Sequence, residues 1–153
     1  MSRLDAVIAE HVQRGYRLEM IMPADAPRIA VVTNGTESLR LTTTPAGVQA
    51  ERFTGYGELI VPEGRQVFVL SRASSAAWDA GRAGMQYRDL LPGRLGGRFI
   101  ASHIRIPEGG PVPDYVHHHR VRFQMIFVRK GRVRVVYADQ GAPFEMREGD
   151  CVL

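Results

Sequence analysis

The sequence predicts an all-β fold behind a single N-terminal helix. Three observations carry that prediction. From Tyr16 onward apolar residues recur in short runs at the period of two that strands require. Turn-forming residues separate the runs, with 16 glycines and 9 prolines in 153 residues. No helical stretch alternates with the strands, as a βαβ architecture would need, so the pattern points to a sandwich or barrel.

The helix comes first. Ser2 to Asp5 has the form of a capping box, Ser2 as N-cap and Asp5 at the third helical position. Leu4, Val7, Ile8 and Val12 follow helical spacing, and Gly15 suits the left-handed position that ends a helix. Strands are then expected at Arg17 to Met22 and Arg28 to Thr33. Asn34-Gly35 gives a hairpin signal, and Ser38 to Thr43 completes the hairpin with Leu39 and Leu41 on one face. Val48 to Phe53, Gly57 to Val61 and Gln66 to Ser71 are the next three strand candidates.

Residues 73–97 interrupt this rhythm with small and polar residues, and are expected to form a connector with an ordered piece around Met85 to Leu90 and Trp78 as its anchor. The strand pattern resumes at Arg98 to Ile106. A hairpin is expected from Phe123–Val128 and Arg132–Tyr137 around Lys130-Gly131, followed by a short strand from Phe144 and another opening at Cys151. The chain thus divides into a helix plus β-rich region (1–72), a connector (73–97) and a second β unit (98–153).

A hydrophobic content of 44% supports a real core, and a charged content of 24% is ordinary for a soluble protein. The net charge of +4 permits an anionic ligand without demanding one. The single cysteine, Cys151, excludes an internal disulfide and is compatible with a reducing compartment. No apolar run reaches the roughly 18 residues of a membrane span, and no signal-peptide core is present, so a cytoplasmic protein is expected.

The candidate site lies in the segment from Gly110 to Gly131. His117, His118 and His119 are consecutive, and strand geometry sends His117 and His119 to one side and His118 to the other. Two imidazoles on one side can converge on zinc, iron, copper or nickel at about 2 Å. Gln124 shares its face with Ile126 and Val128 and offers an amide oxygen, while Phe123, Met125 and Phe127 look like packing surface.

This constellation resembles the first motif of the cupin superfamily: glycine, five residues, His-x-His, three or four residues, Glu, six residues, glycine. Here Gly110 stands one residue too early, His117-x-His119 fits, four residues lead to Gln124, and six more lead to Gly131. The resemblance covers residues 98–153. It implies a jelly-roll β-barrel holding a divalent transition metal (Fe, Mn, Ni or Zn), with His117 and His119 as ligands and Gln124 as a weaker, neutral third. His103 is then a barrel-lining residue. Two copies are expected to associate through strand edges. The family's second motif begins at Gly149 and lacks its Pro-x-Gly and histidine before Leu153, which is the expectation of a truncated barrel. His103, Asp150 and Cys151 are the substitute ligands to consider. In the N-terminal half, Gly57 to Gly64 echoes the second-motif shape with Val67 in the histidine position. That half is therefore either a degenerate cupin or an unrelated β-rich extension.

Arg120, Arg122, Arg129, Lys130, Arg132 and Arg134 crowd the same hairpin, either as a solvated strand edge or as a rim that draws an anionic small molecule. Arg122 and His103 are the candidate substrate-binding residues. Nucleic acid is not expected, because no aromatic platforms are interleaved with these arginines. The functional expectation is a metal-binding protein acting on a small molecule as isomerase, epimerase or dioxygenase. The alternative is a non-catalytic binding or sensing domain, which the neutral Gln124 favours.

Overall fold

A computed structural model describes residues 2–24, 26–64 and 66–153. Helix α1 spans Arg3–Gln13. Its capping box is reciprocal: Asp5 N donates to Ser2 Oγ at 3.1 Å and Ser2 N donates to Asp5 Oδ2 at 3.0 Å. At the other end Gly15 adopts φ +89°, while Gly15 N donates to Val12 O and Tyr16 N to His11 O, each at 3.0 Å. That pair of bonds is the Schellman arrangement, which satisfies two carbonyls the helix leaves open.

Strands β1 (Arg17–Met22), β2 (Ile29–Thr33), β3 (Ser38–Thr44) and β4 (Gly47–Arg52) follow as an antiparallel meander. The Asn34-Gly35 hairpin forms as expected. Asn34 Oδ1 accepts from the backbone N–H of Thr36 and Glu37, both at 2.9 Å, and Gly35 supplies φ +90°. The helix lays Leu4 and Ile8 across this meander, over Leu18, Ile21, Ala30, Val32 and Leu41, with Val7, Val12 and Leu39 packed at the margin. The helical stripe and the Leu39/Leu41 face read from the sequence are thus the two halves of one core.

A shift in the β1–β2 register between Leu18 and Met20 carries a further consequence. An extra residue in one strand reverses the facing of everything beyond it. Leu18 and Ile21, three apart, therefore both enter the core beneath α1.

Beyond residue 53 the β structure is in smaller pieces. β5 (Asp79–Ala80), β6 (Gln86–Asp89) and β7 (Ser102–Arg105) make a three-stranded antiparallel sheet. β8 (His118–His119) joins the large sheet beside β1, giving the order β4-β3-β2-β1-β8. β9 (Ile126–Phe127) pairs with β12 (Cys151–Val152), and β10 (Arg132–Val135) with β11 (Phe144–Arg147). Strand residues outnumber helical ones, 32% against 12%, and the sheets do not close into a barrel among the described residues.

Several expectations are corrected here. Gly57–Val61 and Gln66–Ser71 have alternating apolar residues yet form no strand, and Ile60 and Phe68 are 82% and 91% exposed. An alternating segment becomes a strand only where a neighbour accepts its hydrogen bonds, and among the described residues no strand pairs with these. The expected hairpin around Lys130-Gly131 is replaced by two other strand pairings. Val128 N donates to Asp150 O and Gly149 N donates to Val128 O, both at 2.9 Å, which draws β9 onto β12 and leaves β10 to pair with β11. Phe123, Met125 and Phe127 are exposed instead of forming a packing surface, because no layer covers that face among the described residues. The strand expected over Arg98–Ile106 contracts to β7. Cys151 is exposed, against the usual burial of a lone strand cysteine.

Candidate functional site

The histidines are positioned by the core beneath α1. β8 runs parallel to β1, with His118 opposite Met20 and His119 opposite Ile21. Ile21 is fully buried beneath α1, so the backbone against which His119 lies is among the most constrained in the chain.

The alternation expected of a strand is seen in the rings. His117 and His119 lie edge to face, 5.0 Å between centroids. His118 points elsewhere, its ring 5.9 Å from that of Tyr56. Tyr56 in turn carries the Arg120 guanidinium 5.0 Å from its ring centre, and Arg120 donates to Gly57 O at 2.6 Å. Burial and the neighbouring Glu19 carboxylate raise the Tyr56 phenol above its usual pKa.

Both members of the pair are held by Nδ1 against a backbone carbonyl. His117 Nδ1 donates to Tyr115 O, and His119 Nδ1 donates to Ile21 O over a long 3.4 Å. A carbonyl only accepts, so these bonds place the ring proton on Nδ1 and leave each Nε2 lone pair for another partner. Burial, then the charges of His117, Arg82 and His118, lower the His119 pKa, while the bond to Ile21 opposes them. Neutral imidazole with Nε2 open is the form that ligates a metal, and a carbonyl on Nδ1 is the usual device for orienting such a ligand.

The donor set of the pair stops at two. Among the described residues no group of three or more His, Cys, Asp or Glu side chains is arranged to hold an ion. Gln124 is exposed in irregular backbone two residues ahead of β9 and makes no hydrogen bond among the described residues. Asp150 is committed to its turn, where Oδ2 accepts from Arg147 N at 2.7 Å. An ion held here would thus take two imidazoles from the chain and its remaining ligands from solvent or a small molecule.

A pocket of about 390 Å³ is lined by His117 and His118, but not His119, together with Arg17, Glu19, Tyr137 and Asp139 among others. Sequence reasoning missed Arg17 and Glu19, since a parallel pairing across about a hundred residues leaves no local signal, and it missed Tyr137 and Asp139, which lie beyond the end of β10. Arg122 is elsewhere, lining a shallow pocket of about 430 Å³ with Arg98 and the segment Glu58 to Glu63. His103 lies in β7, in the three-stranded sheet, and neither pocket includes it.

Arg82 ties these parts together. Its side chain is 10% exposed and bridges Asp114 at 2.7 Å and Asp5 at 3.7 Å, joining the segment before the histidines to the start of α1. No helix among the described residues is long and apolar enough to cross a membrane. No protein-family model, curated protein or solved structure matches the chain. What the fold itself defines is a mostly β protein with several sheets and an N-terminal helix.

Proposed function

We propose that the chain is a cupin-type metal-binding protein in which His117 and His119 hold a divalent transition metal for a small, anionic molecule. The observation that carries this reading is the pair itself: adjacent rings, each tied by Nδ1 to a carbonyl, each with Nε2 open. Motif spacing from Gly110 through Gln124 to Gly131 adds the resemblance to the cupin family and its jelly roll. Gln124 is the third donor in that motif and contributes no negative charge.

A bound metal would supply Lewis-acid polarisation of a carbonyl or hydroxyl. The chain's own contribution is orientation. The carbonyls of Tyr115 and Ile21 hold the two rings in one tautomer, and the pocket that His117 lines adds one cation, Arg17, beside the carboxylates of Glu19 and Asp139. Isomerase, epimerase and dioxygenase chemistry all suit such a site. A non-catalytic binding role is favoured by the neutral amide of Gln124, because losing the carboxylate of the facial triad leaves the ion's charge less neutralised.

Metal content and competitive chelator titration test the reading. The wild-type protein should bind close to one equivalent of Zn²⁺ or Ni²⁺. His117→Ala and His119→Ala should each weaken binding by more than about tenfold, while His118→Ala leaves it unchanged. Binding well below one equivalent, or equal binding by the His117→Ala/His119→Ala double variant, refutes the site. Turnover across sugars and aromatic diols then separates enzyme from sensor.

A further inference from the structure

One half-buried face of the three-stranded sheet carries a second cluster. Across β6 and β7, Arg88 is opposite His103 and Gln86 is opposite Arg105. Paired residues share a side, and so do residues two apart along a strand, so all four project from one face. Trp78 lies over that face. Its ring centre is 4.9 Å from that of His103, 4.1 Å from the Arg105 guanidinium carbon and 5.2 Å from that of Arg88.

The hydrogen bond within the cluster fixes its chemistry. Arg88 Nη2 lies 3.1 Å from His103 Nδ1. A guanidinium has only donors, so Nδ1 must accept, which leaves the imidazole neutral with its proton on Nε2. Apart from the Gln86 amide, which both donates and accepts, the polar groups of this face are donors: Nε2–H of His103 and the N–H groups of two arginines. Among the described residues neither Arg88 nor Arg105 has a carboxylate within ion-pairing distance, and Arg88 Nε is buried with no acceptor. The nearby Asp89 is engaged with Arg94 at 3.2 Å, and alternation along β6 points it away from Arg88. The indole face offsets part of the repulsion between the two cations, but not all of it.

We propose that Arg88, His103 and Arg105, roofed by Trp78, form a binding site for a phosphoryl group, free or as the monoester of a small molecule. A phosphate dianion matches the two guanidinium charges, and its oxygens accept from the planar fork that arginine presents. The charges acting on His103 agree: burial and then Arg88, Arg129 and Arg105 all lower its pKa, with no carboxylate opposing them. The site is separate from the His117–His119 pair and does not depend on a metal.

Trp78 is the chain's single tryptophan, so its emission reports this site directly. Inorganic phosphate titrated into the whole protein in EDTA, against chloride of matched ionic strength, should give a saturable emission change with Kd on the order of 1 mM or tighter. Arg105→Gln should weaken it about tenfold or more, the loss of one charge-assisted contact. Arg40→Gln, on the large sheet, should leave it unchanged. If circular dichroism shows Arg105→Gln unfolded, Arg105→Lys replaces it and should weaken binding less. If neither variant folds, the wild-type titration decides. A methyl phosphate arm distinguishes an ester site, which binds both probes, from a free-phosphate site, which binds one. The proposal is overturned if chloride reproduces the change, if it does not saturate, if it vanishes in EDTA but returns with Zn²⁺, or if a folded Arg105→Gln keeps wild-type affinity. Failure of metal binding at His117 and His119 leaves these outcomes unaffected.

Discussion

Ile21 joins the core to the candidate site, and its truncation tests both. The side chain is 1% exposed beneath α1, and its carbonyl receives the His119 Nδ1 proton. Ile21→Ala removes three carbons, about 2.4 kcal/mol at about 0.8 kcal/mol each. The cavity adds to this, because Leu4, Ile8 and Leu41 are held from α1 and β3 and relax only in part. A total loss of about 3 to 4 kcal/mol is expected. Ile60→Ala, at a residue 82% exposed, should change stability by less than about 0.5 kcal/mol. Urea unfolding followed by far-UV circular dichroism measures both. The His119 ring resonances should move in Ile21→Ala and stay in place in Ile60→Ala, because only the former disturbs the β1 backbone paired with β8. A loss below about 1 kcal/mol for Ile21→Ala would show that the helix does not seal this core. Unmoved His119 resonances would detach the histidines from β1.

Two more outcomes follow from the charged groups. Arg82→Met leaves Asp5 and Asp114 without their shared cation, and a loss of about 3 kcal/mol is expected in thermal or urea unfolding; a neutral result would mean the bridge is solvated. His103 and His119 both have pKa values lowered by folding, chiefly through burial. Below the ordinary histidine value of about 6.5 the unfolded chain binds more protons, so their contribution is present above that pH and lost as pH falls through the lowered values. The melting temperature should therefore drop between about pH 6.5 and 5, and less so in His103→Gln. A melting temperature independent of pH across this range, or an equal drop in the variant, refutes the assignment.

The metal and phosphoryl readings place two different chemistries on two sheets. One pair of imidazoles offers lone pairs, set by donation to carbonyls. The other imidazole offers a proton, set by acceptance from an arginine. The same side chain type thus offers a lone pair or a proton according to what meets its Nδ1, which no spacing rule reveals.

Local chemistry in the sequence determined the N-terminal third. The capping box at Ser2 and Asp5, Gly15 after the helix and Asn34-Gly35 between strands act within a few residues, so their outcome is readable from the residues themselves. The opposition of His117 and His119 to His118 was legible for the same reason: it needs only the period of a strand. What the tertiary structure decided is everything that depends on a distant partner. The β1 register shift puts Leu18 and Ile21 on one face, and the parallel seat of β8 on β1 delivers Arg17 and Glu19 to the histidine pocket. The exchange of the Lys130-Gly131 hairpin for the β9–β12 and β10–β11 pairs is of the same kind. A strand's pattern states which face is apolar, but the hydrogen bonds along its edge are identical at every residue. Only the assembled neighbours choose among them.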